Sequence, residues 1–259
     1  MPALSQIDRS VSNHDVIPVL ESTVFDDAPT ARLAGGLIAR DGIALPGFER
    51  EFAAHFQLRR KVYVEQTGQL SVSELDADGT DRDPDDARSV TFGVFENHRS
   101  GTRLVGVARL ILRGEHRPLP IEEYCPDALL PGEAGATSVE VSRVIARHES
   151  AGVQALVQAH LFALMLAHLS RHRLGRTFAI LEPWLERHVK GLLSISRLGE
   201  PRYIEHYLDD NVPIEVDVPA SIERVGEHYP ALVERYRDAE PAISTFGRTR
   251  TGAASGRAA

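Results

Sequence analysis

The chain has 259 residues, of which 42% are hydrophobic and 25% are charged, and its formal net charge is −8. This composition is typical of a globular protein with one domain or two small ones; it excludes disorder of the whole chain, and the acidic balance disfavours non-specific binding to nucleic acid. No apolar run is long enough to predict a membrane span, the N-terminus lacks the pattern of a secretory signal, and the single cysteine, Cys125, excludes an internal disulfide, so the sequence predicts a cytoplasmic protein.

Changes in composition divide the chain into three parts. Residues 1–45 contain turn-forming pairs such as Asp26-Asp27 and Gly35-Gly36, which indicate an irregular N-terminal arm. Residues 46–238 carry the regular hydrophobic patterns of a folded domain. Residues 239–259 are rich in small residues, glycine and arginine, which predicts a disordered tail.

The first half of the domain combines a helix, an acidic loop and a hairpin. Residues 47–66 carry apolar side chains at helical spacing, and residues 71–88 form an acidic stretch without aromatic residues. Residues 89–95 and 103–112 are two β-rich runs separated by a turn. They predict a pair of antiparallel strands.

The second half predicts a crossover connection. A strand over residues 137–145 precedes a long helix over 153–173 and a strand over 177–181. A short helix (184–193), two late strands (203–208 and 214–218) and a last helix (222–237) follow. A hairpin followed by a β-α-β unit predicts an α/β (α+β) fold, with a mixed, mostly antiparallel sheet flanked by helices.

Two candidate sets of functional residues lie on the first helix and in the acidic loop. Arg59 and Tyr63 share a helix face at i, i+4, which is also typical of an amphipathic surface helix. The loop from Glu74 to Asp81 alternates carboxylates, which suit a hard cation, a solvated loop, or a flap that holds an amine or an arginine. Its spacing is not that of a calcium-binding helix–loop–helix, and the histidines follow no metal-binding pattern, so no metal is expected.

The third candidate set is Glu140-Val141-Ser142-Arg143, in a predicted strand. Strand alternation predicts Glu140 and Ser142 on one face and Arg143 on the other. A glutamate in an apolar strand must be paired or have a raised pKa. Either state suits a general base that acts on an ammonium substrate, and a structural Glu–Arg pair is the alternative.

The segment before the long helix is a candidate anion site. Arg147 and Gly152 flank backbone amides at the helix start, and these amides could bind the phosphate of a pantetheine arm. The match to the coenzyme A-binding pattern is imperfect, because Ser150 replaces its first glycine.

The order and spacing of these segments, over residues 48–218, resemble the autoinducer-synthase branch of the GCN5-related N-acyltransferase superfamily. This branch includes acyl-homoserine-lactone synthases, N-acyl amino acid synthases and exosortase-associated acyltransferases. Arg59, Tyr63 and Gln69 are similar in spacing to the Arg, Phe and Trp of the first helix of lactone synthases. Glu140-Val141-Ser142-Arg143 matches the Glu-x-Ser-Arg motif of the branch in full.

Two further family motifs resemble parts of the chain. The strand arginine in a Gly-x-x-Arg-Leu setting resembles Arg109, and the acidic Glu-x-Asp-x-x-Asp pattern is matched by Glu74 and Asp76, with Gly79 in third place. Gln69 and Gly79 depart from the family in the part that handles an S-adenosylmethionine-derived substrate. The resemblance therefore implies N-acylation of an amino acid or another small amine. The alternatives are homoserine-lactone synthesis and a non-catalytic acyl-binding module.

The resemblance also implies the fold of a GCN5-related acyltransferase and the nature of the donor. The acyl group would come from an acyl carrier protein thioester, or from coenzyme A, with no tightly bound cofactor. An acidic carrier protein needs a basic docking patch. The candidates are Arg59, Arg60 and Lys61, or Arg171, Arg173 and Arg176.

We expect Glu140 to act as the general base, with Ser142 and Arg143 beside it, and backbone amides between Ser142 and Ile145 to hold the oxyanion. Arg109 and Arg143 are expected to pair with the acidic loop, and the alternative is that they bind a substrate carboxylate through two hydrogen bonds each. The residues assigned to substrate binding are Arg59, Tyr63, Glu74, Asp76 and Arg109, with Glu74 and Asp76 as the partners of the two strand arginines. Those assigned to the acyl and pantetheine groups are Arg147, Gly152, Phe162, Met165 and Leu166.

Overall fold

The computed structural model describes residues 33–98, 101–114, 117–130 and 132–237. Residues 1–32 of the predicted arm and the whole predicted tail lie outside the described residues. Residues 33–45 belong to the sheet, because β1 (Leu33–Arg40) and β2 (Ile43–Ala44) pair in a hairpin. The prediction of an irregular arm is wrong for this stretch. Its glycines serve close packing, since a Cβ on Gly35 would lie 2.6 Å from Leu164.

The strands form one mixed sheet. Its remaining members are β3 (Ser89–His98), β4 (Gly101–Leu112), β5 (Val139–Ala146), β6 (Thr177–Leu181), β7 (Ile195–Arg197), β8 (Arg202–Ile204) and β9 (Asp209–Val216). The order is β2-β1-β3-β4-β5-β6-β9-β7, and β8 pairs with β9. Among the described pairs, β5 with β6 is the parallel one and the others are antiparallel. The predicted hairpin, crossover and mostly antiparallel sheet are confirmed.

Six α-helices lie within the described ranges. They are α1 (Glu49–Arg60), α2 (Pro120–Tyr124), α3 (Ala151–Arg171), α4 (Pro183–Val189), α5 (Val218–His228) and α6 (Pro230–Arg237). The predicted last helix is broken in two, because Pro230 lacks the N–H that would continue α5. The predicted strand over 203–208 becomes the short β8 and a 3-10 turn, while β7 has too few residues to give a periodic signal.

The helices cover both faces of the sheet. On one face, α3 buries most of its length against β1, β3, β4 and β5 and carries α5 and α6 on its other side. On the opposite face lie α1, α2 and the acidic loop. By length and composition α3 would pass as a membrane-crossing helix, but 61% of its apolar window is buried in the protein, as in a core helix.

Two irregularities in β5 shape the centre of the molecule. β5 pairs with β6 over Val139–Val141 only, and the two strands part beyond that point. The register between β4 and β5 also shifts near Arg109, and Arg143 adopts a left-handed backbone with φ of 52°. A non-glycine residue in this conformation is strained, and such strain often marks a functional site.

Candidate active site

A cavity of ≈ 420 Å³ opens where β5 and β6 part. This volume lies in the range of small-molecule sites. On the helix side it is lined by Phe162, Met165, Leu166 and Leu169 of α3, which include the three residues predicted to contact an acyl chain. Its polar lining includes Tyr63, Glu140, Ser142, Arg143 and Tyr207. The cavity is therefore apolar towards α3 and polar towards the opposite face of the sheet.

Glu140 is buried on the polar side of this cavity, with 1% of its surface exposed. Its Oε2 accepts a hydrogen bond of 2.8 Å from the backbone N–H of Ile121 at the start of α2. Burial raises the pKa of the Glu140 carboxyl to about 8, and the Ile121 N–H offsets part of this shift. The sequence argument for a raised pKa is confirmed, and a structural Glu140–Arg143 pair does not form.

An ion-pair cluster of three arginines and three aspartates lies beside the cavity. Its members are Arg59, Arg109, Arg143, Asp81, Asp83 and Asp86. Arg59 donates two hydrogen bonds to Asp81, of 2.9 and 3.2 Å, and one of 2.7 Å to Asp86. Arg109 contacts Asp83 at 2.6 Å and Asp86 at 2.8 Å. The cluster joins α1, β4, β5 and the acidic loop, and its formal charges cancel.

Arg143 completes the cluster from the bulge in β5. It pairs with Asp81 at 3.2 Å and Asp83 at 3.3 Å, and its guanidinium lies over the Tyr63 ring at 5.2 Å. Ser142 accepts a hydrogen bond of 2.9 Å from Arg109 Nε. Arg143 and Ser142 thus face the same cluster. Strict alternation predicted opposite faces, and it fails because the left-handed residue at the bulge turns the strand.

The prediction that Arg109 and Arg143 pair with Glu74 and Asp76 is wrong. Glu74 is exposed, and its carboxylate lies 3.9 Å from His206. Asp76 organises its own loop, where it accepts hydrogen bonds from the backbone N–H of Asp78 and from the N–H and hydroxyl of Thr80. The hydrogen bond from the Thr80 N–H is the main cause that lowers the pKa of Asp76. Neither residue is part of the cluster or of the cavity lining.

Two sequence signals could have located the true carboxylates. Asp81, Asp83 and Asp86 follow the same 1, 3, 6 spacing as the family's acidic pattern, seven residues later than the segment first assigned. Asp83 also begins a capping box. Asp85 N–H donates to its side chain at 2.9 Å, Pro84 occupies the first position, and Asp86 accepts from Asp83 N–H at 2.9 Å.

Burial and the neighbouring arginines shift the pKa values of Asp81 and Asp83 in opposite directions. Burial alone would raise the pKa of Asp81, but Arg143 and Arg59 hold it below its usual value. Burial would also raise the pKa of Asp83, and Arg109 is the main group that lowers it below its usual value. Asp81 and Asp83 are therefore ionised at neutral pH, and the three arginines balance the charge of the cluster. Within the described ranges, no group of three histidine, cysteine or acidic residues is arranged to hold a metal ion.

The residues assigned to the donor are only partly brought together. Arg147 is exposed and lines the cavity at the end of β5, whereas Gly152 is exposed and does not line it. Several members of the proposed docking patches already have partners, since Arg60 contacts Glu65 and the Gly79 carbonyl and Arg171 donates to the Tyr236 carbonyl. Arg59 is buried in the cluster, and Arg176 pairs with Glu133 and Glu215, so neither is available to a partner protein.

Comparisons with known proteins agree with this geometry. The sequence model of the N-acyl amino acid synthase FeeM family matches residues 54–217. The structure of FeeM, an N-acyl amino acid synthase from uncultured soil microbes, is 18% identical, with a TM-score of 0.56, and the match covers 74% of this chain and 94% of that one. No curated protein sequence matches the chain significantly.

Two solved acyl-homoserine lactone synthases share the fold. BjaI, a CoA-dependent enzyme solved with MTA, is 22% identical with a TM-score of 0.56, over 70% of this chain and 82% of that one. LasI is 17% identical with a TM-score of 0.55, over 72% and 90%. At these identities the likeness shows the fold alone.

The match to the FeeM family model identifies the chain as an acyltransferase, whose sheet parts between two parallel strands at a buried carboxylate and an apolar cavity. Within that class, the chain belongs to the N-acyl amino acid synthase FeeM family, whose sequence model spans more than half of it.

Proposed function

We propose that this protein transfers a long-chain acyl group from a thioester to the nitrogen of an amino acid or a similar small amine. The observation that carries the proposal is the two-sided cavity at the opening between β5 and β6. Its apolar side suits an acyl chain along α3, and its polar side holds the buried carboxyl of Glu140. Gln154 and Leu169 of α3 both line the cavity, and the helix between them is about 22 Å long, which is ample for a long chain.

In the proposed reaction, Glu140 takes one proton from the acceptor ammonium, directly or through a water molecule. The free amine then attacks the thioester carbonyl and a C–N bond forms. The C–S bond breaks, and the leaving thiolate takes the second proton that the nitrogen loses as it becomes an amide. Backbone N–H groups on the edge of β5 after Val141, which β6 no longer pairs, are the proposed donors to the oxyanion. Each such donor lowers the barrier by about 3 kcal/mol.

The donor is proposed to be an acyl carrier protein thioester, with coenzyme A as the other choice. Arg147 at the cavity rim is the proposed contact for the pantetheine phosphate. The enzyme is proposed to act in the cytoplasm and to keep no tightly bound cofactor. Docking of a carrier protein would use exposed cations other than Arg59 and Arg176, which are already paired.

Homoserine-lactone synthesis is the second candidate, and one observation favours it. Asp81, Asp83 and Asp86 supply all three acids of the family's acidic pattern, which Glu74, Asp76 and Gly79 match only in part, so the glycine at position 79 does not argue against this activity. Gln69, which lines the cavity where lactone synthases have a tryptophan, still favours an amino acid or another small amine.

The test is mass spectrometry of lipid extracts from a bacterial host that expresses the wild type or Glu140→Gln. We expect a new N-acyl amino acid series with the wild type and its loss with the variant, and the masses will identify the acceptor and the chain length. A lactone series would support the second candidate. If no new product forms and the purified protein still binds fatty acid, the protein is a non-catalytic acyl-binding module.

A further inference from the structure

A second glutamate, Glu182, faces the same cavity from the other side of the opening. It follows Leu181, the last residue of β6, and precedes α4, and its backbone is still extended. It lines the cavity with 7% of its surface exposed. Val141 of β5 is paired with Ala179, and Glu182 lies three residues further on, about 10 Å along the strand. By that spacing Glu182 is level with Val144, one residue beyond the bulge at Arg143.

Strand alternation places Glu182 on the polar side of the sheet. Ala179 and Leu181 pack in the core around α3, whereas Phe178 and Ile180 pack with Ile121 on the opposite face. Glu182 continues the second set. Glu140, which is paired with Phe178, projects from that same face. The two carboxyl groups therefore lie on the face of the sheet opposite the proposed acyl chain.

Glu182 has no partner of opposite charge within the part of the chain that the structure describes, and it does not cap α4 with its side chain. Burial is the main cause that raises the pKa of its carboxyl, a hydrogen bond from its own backbone N–H offsets part of this shift, and the charge of Asp209 adds to it. The arginines of the ion-pair cluster are occupied by the three aspartates. A buried carboxylate without an ion-pair partner is costly unless a proton or a bound cation neutralises it.

We propose that Glu182 binds the ammonium group of the acceptor and that the acceptor is accordingly a primary amine that enters the site protonated. This inference rests on the proposed function and adds a residue to it. Glu182 holds the cation opposite the bulge, where the thioester carbonyl would lie, and Glu140 receives the proton. Neutral nucleophiles such as alcohols gain nothing from Glu182, so the residue selects amines.

The test compares steady-state kinetics of the wild type, Glu182→Gln and a matched control, Glu205→Gln, whose carboxylate is exposed outside the cavity lining. Decanoyl-coenzyme A and decanoyl-carrier protein serve as donors, and the twenty protein amino acids and putrescine as acceptors, with thiol release as the readout. Melting temperatures check the fold. Glu182→Gln is expected to melt at or above the wild-type temperature, because it removes an unpaired buried charge.

We expect Glu182→Gln to raise the acceptor KM by roughly 10- to 100-fold, the loss of one charge-assisted contact. The donor KM and the slow hydrolysis of the thioester without acceptor stay unchanged, and Glu182→Asp restores part of the affinity. An unchanged acceptor KM would overturn the inference alone. A loss confined to kcat would overturn it as well, and would make Glu182 the proton acceptor. If the wild type acylates no amine, the proposed function fails with it.

Discussion

At the scale of single residues, Glu140 is deeply buried, and within the described ranges its carboxylate accepts one hydrogen bond, from the Ile121 N–H. With a pKa of about 8 in the folded protein and an ordinary value of 4.5, Glu140 binds its proton more tightly when the chain is folded. Its ionisation therefore lowers stability progressively as the pH rises from about 4.5 to 8. A glutamine there keeps an acceptor for the Ile121 N–H and removes this cost.

We predict that Glu140→Gln lowers the rate of acyl transfer by at least about 100-fold while it stabilises the fold. The gain in melting temperature is expected to be small at pH 5 and roughly 5 °C or more at pH 8. Wild-type activity should rise between pH 6 and 8 as Glu140 loses its proton. Thermal melts and rates at several pH values measure all three effects, with the exposed Glu205→Gln as control. A variant that makes product at the wild-type rate would remove Glu140 from the mechanism.

The ion-pair cluster gives a second prediction at this scale. Asp86→Asn leaves Arg59 and Arg109 buried with one carboxylate fewer, and we expect it to cost about 3–5 kcal/mol of unfolding free energy. The exposed Glu74→Gln should change it by less than about 0.5 kcal/mol. Urea denaturation measures both. If the two variants lowered the unfolding free energy equally, the carboxylate of Glu74 would be as important to stability as that of Asp86, which would contradict the cluster.

At the scale of elements, α3 packs against the sheet where the sheet has glycines. A Cβ on Gly106 would lie 2.5 Å from Val157 of α3 and 3.3 Å from the Ile145 carbonyl oxygen. The helix therefore lies close to β4 at its N-terminal half. Gly152, in the first turn of the same helix, is different, because its nearest neighbour would be Ser150 Oγ at 3.9 Å.

We predict opposite effects for these two glycines. Gly106→Val should destabilise the protein by about 1–3 kcal/mol, because the overpacked side chain pushes α3 from the sheet. Gly152→Ala should stabilise it by about 0.5–1 kcal/mol through helix propensity. Chemical denaturation checks both values. The activity of Gly152→Ala also tests the assignment of this glycine to the pantetheine phosphate. Unchanged activity is expected if only its backbone N–H contacts the phosphate, because the added methyl group leaves that N–H in place.

Periodic elements could be predicted from the sequence, and irregular ones could not. The hairpin, β5, α3 and β6 have regular hydrophobic spacing, and their order was enough to predict the fold class. β1 was missed because its Gly35-Gly36 pair looks like a turn when the helix packed on it is unknown. The direction of Arg143 depends on a bulge, which no pattern of alternation encodes. The acidic loop contains two similar patterns, which the capping box at Asp83 and the contacts with Arg59 distinguish.

At the scale of the whole molecule, the cavity length is set by the core itself. Leu169, near the C-terminal end of α3, lines the cavity together with Thr177 and Val216, at the end away from Arg147. We predict that Leu169→Trp shortens the acyl chains found in the product, because the larger side chain takes up cavity volume at the end away from Arg147. Mass spectrometry of the products gives the distribution. The exposed Ile43→Trp is the control and should leave chain length unchanged; an unchanged distribution for Leu169→Trp would place the acyl tail elsewhere.

The opening between β5 and β6 has a kinetic consequence. Because the acyl side and the Glu140 side lie on opposite faces of one sheet, donor and acceptor can occupy the protein at the same time. We therefore expect the acyl group to pass directly from donor to acceptor through the opening in the sheet, without a covalent acyl-enzyme intermediate. Double-reciprocal plots at several fixed acceptor concentrations should therefore intersect, as for a ternary-complex mechanism, and parallel lines would instead reveal an acylated enzyme.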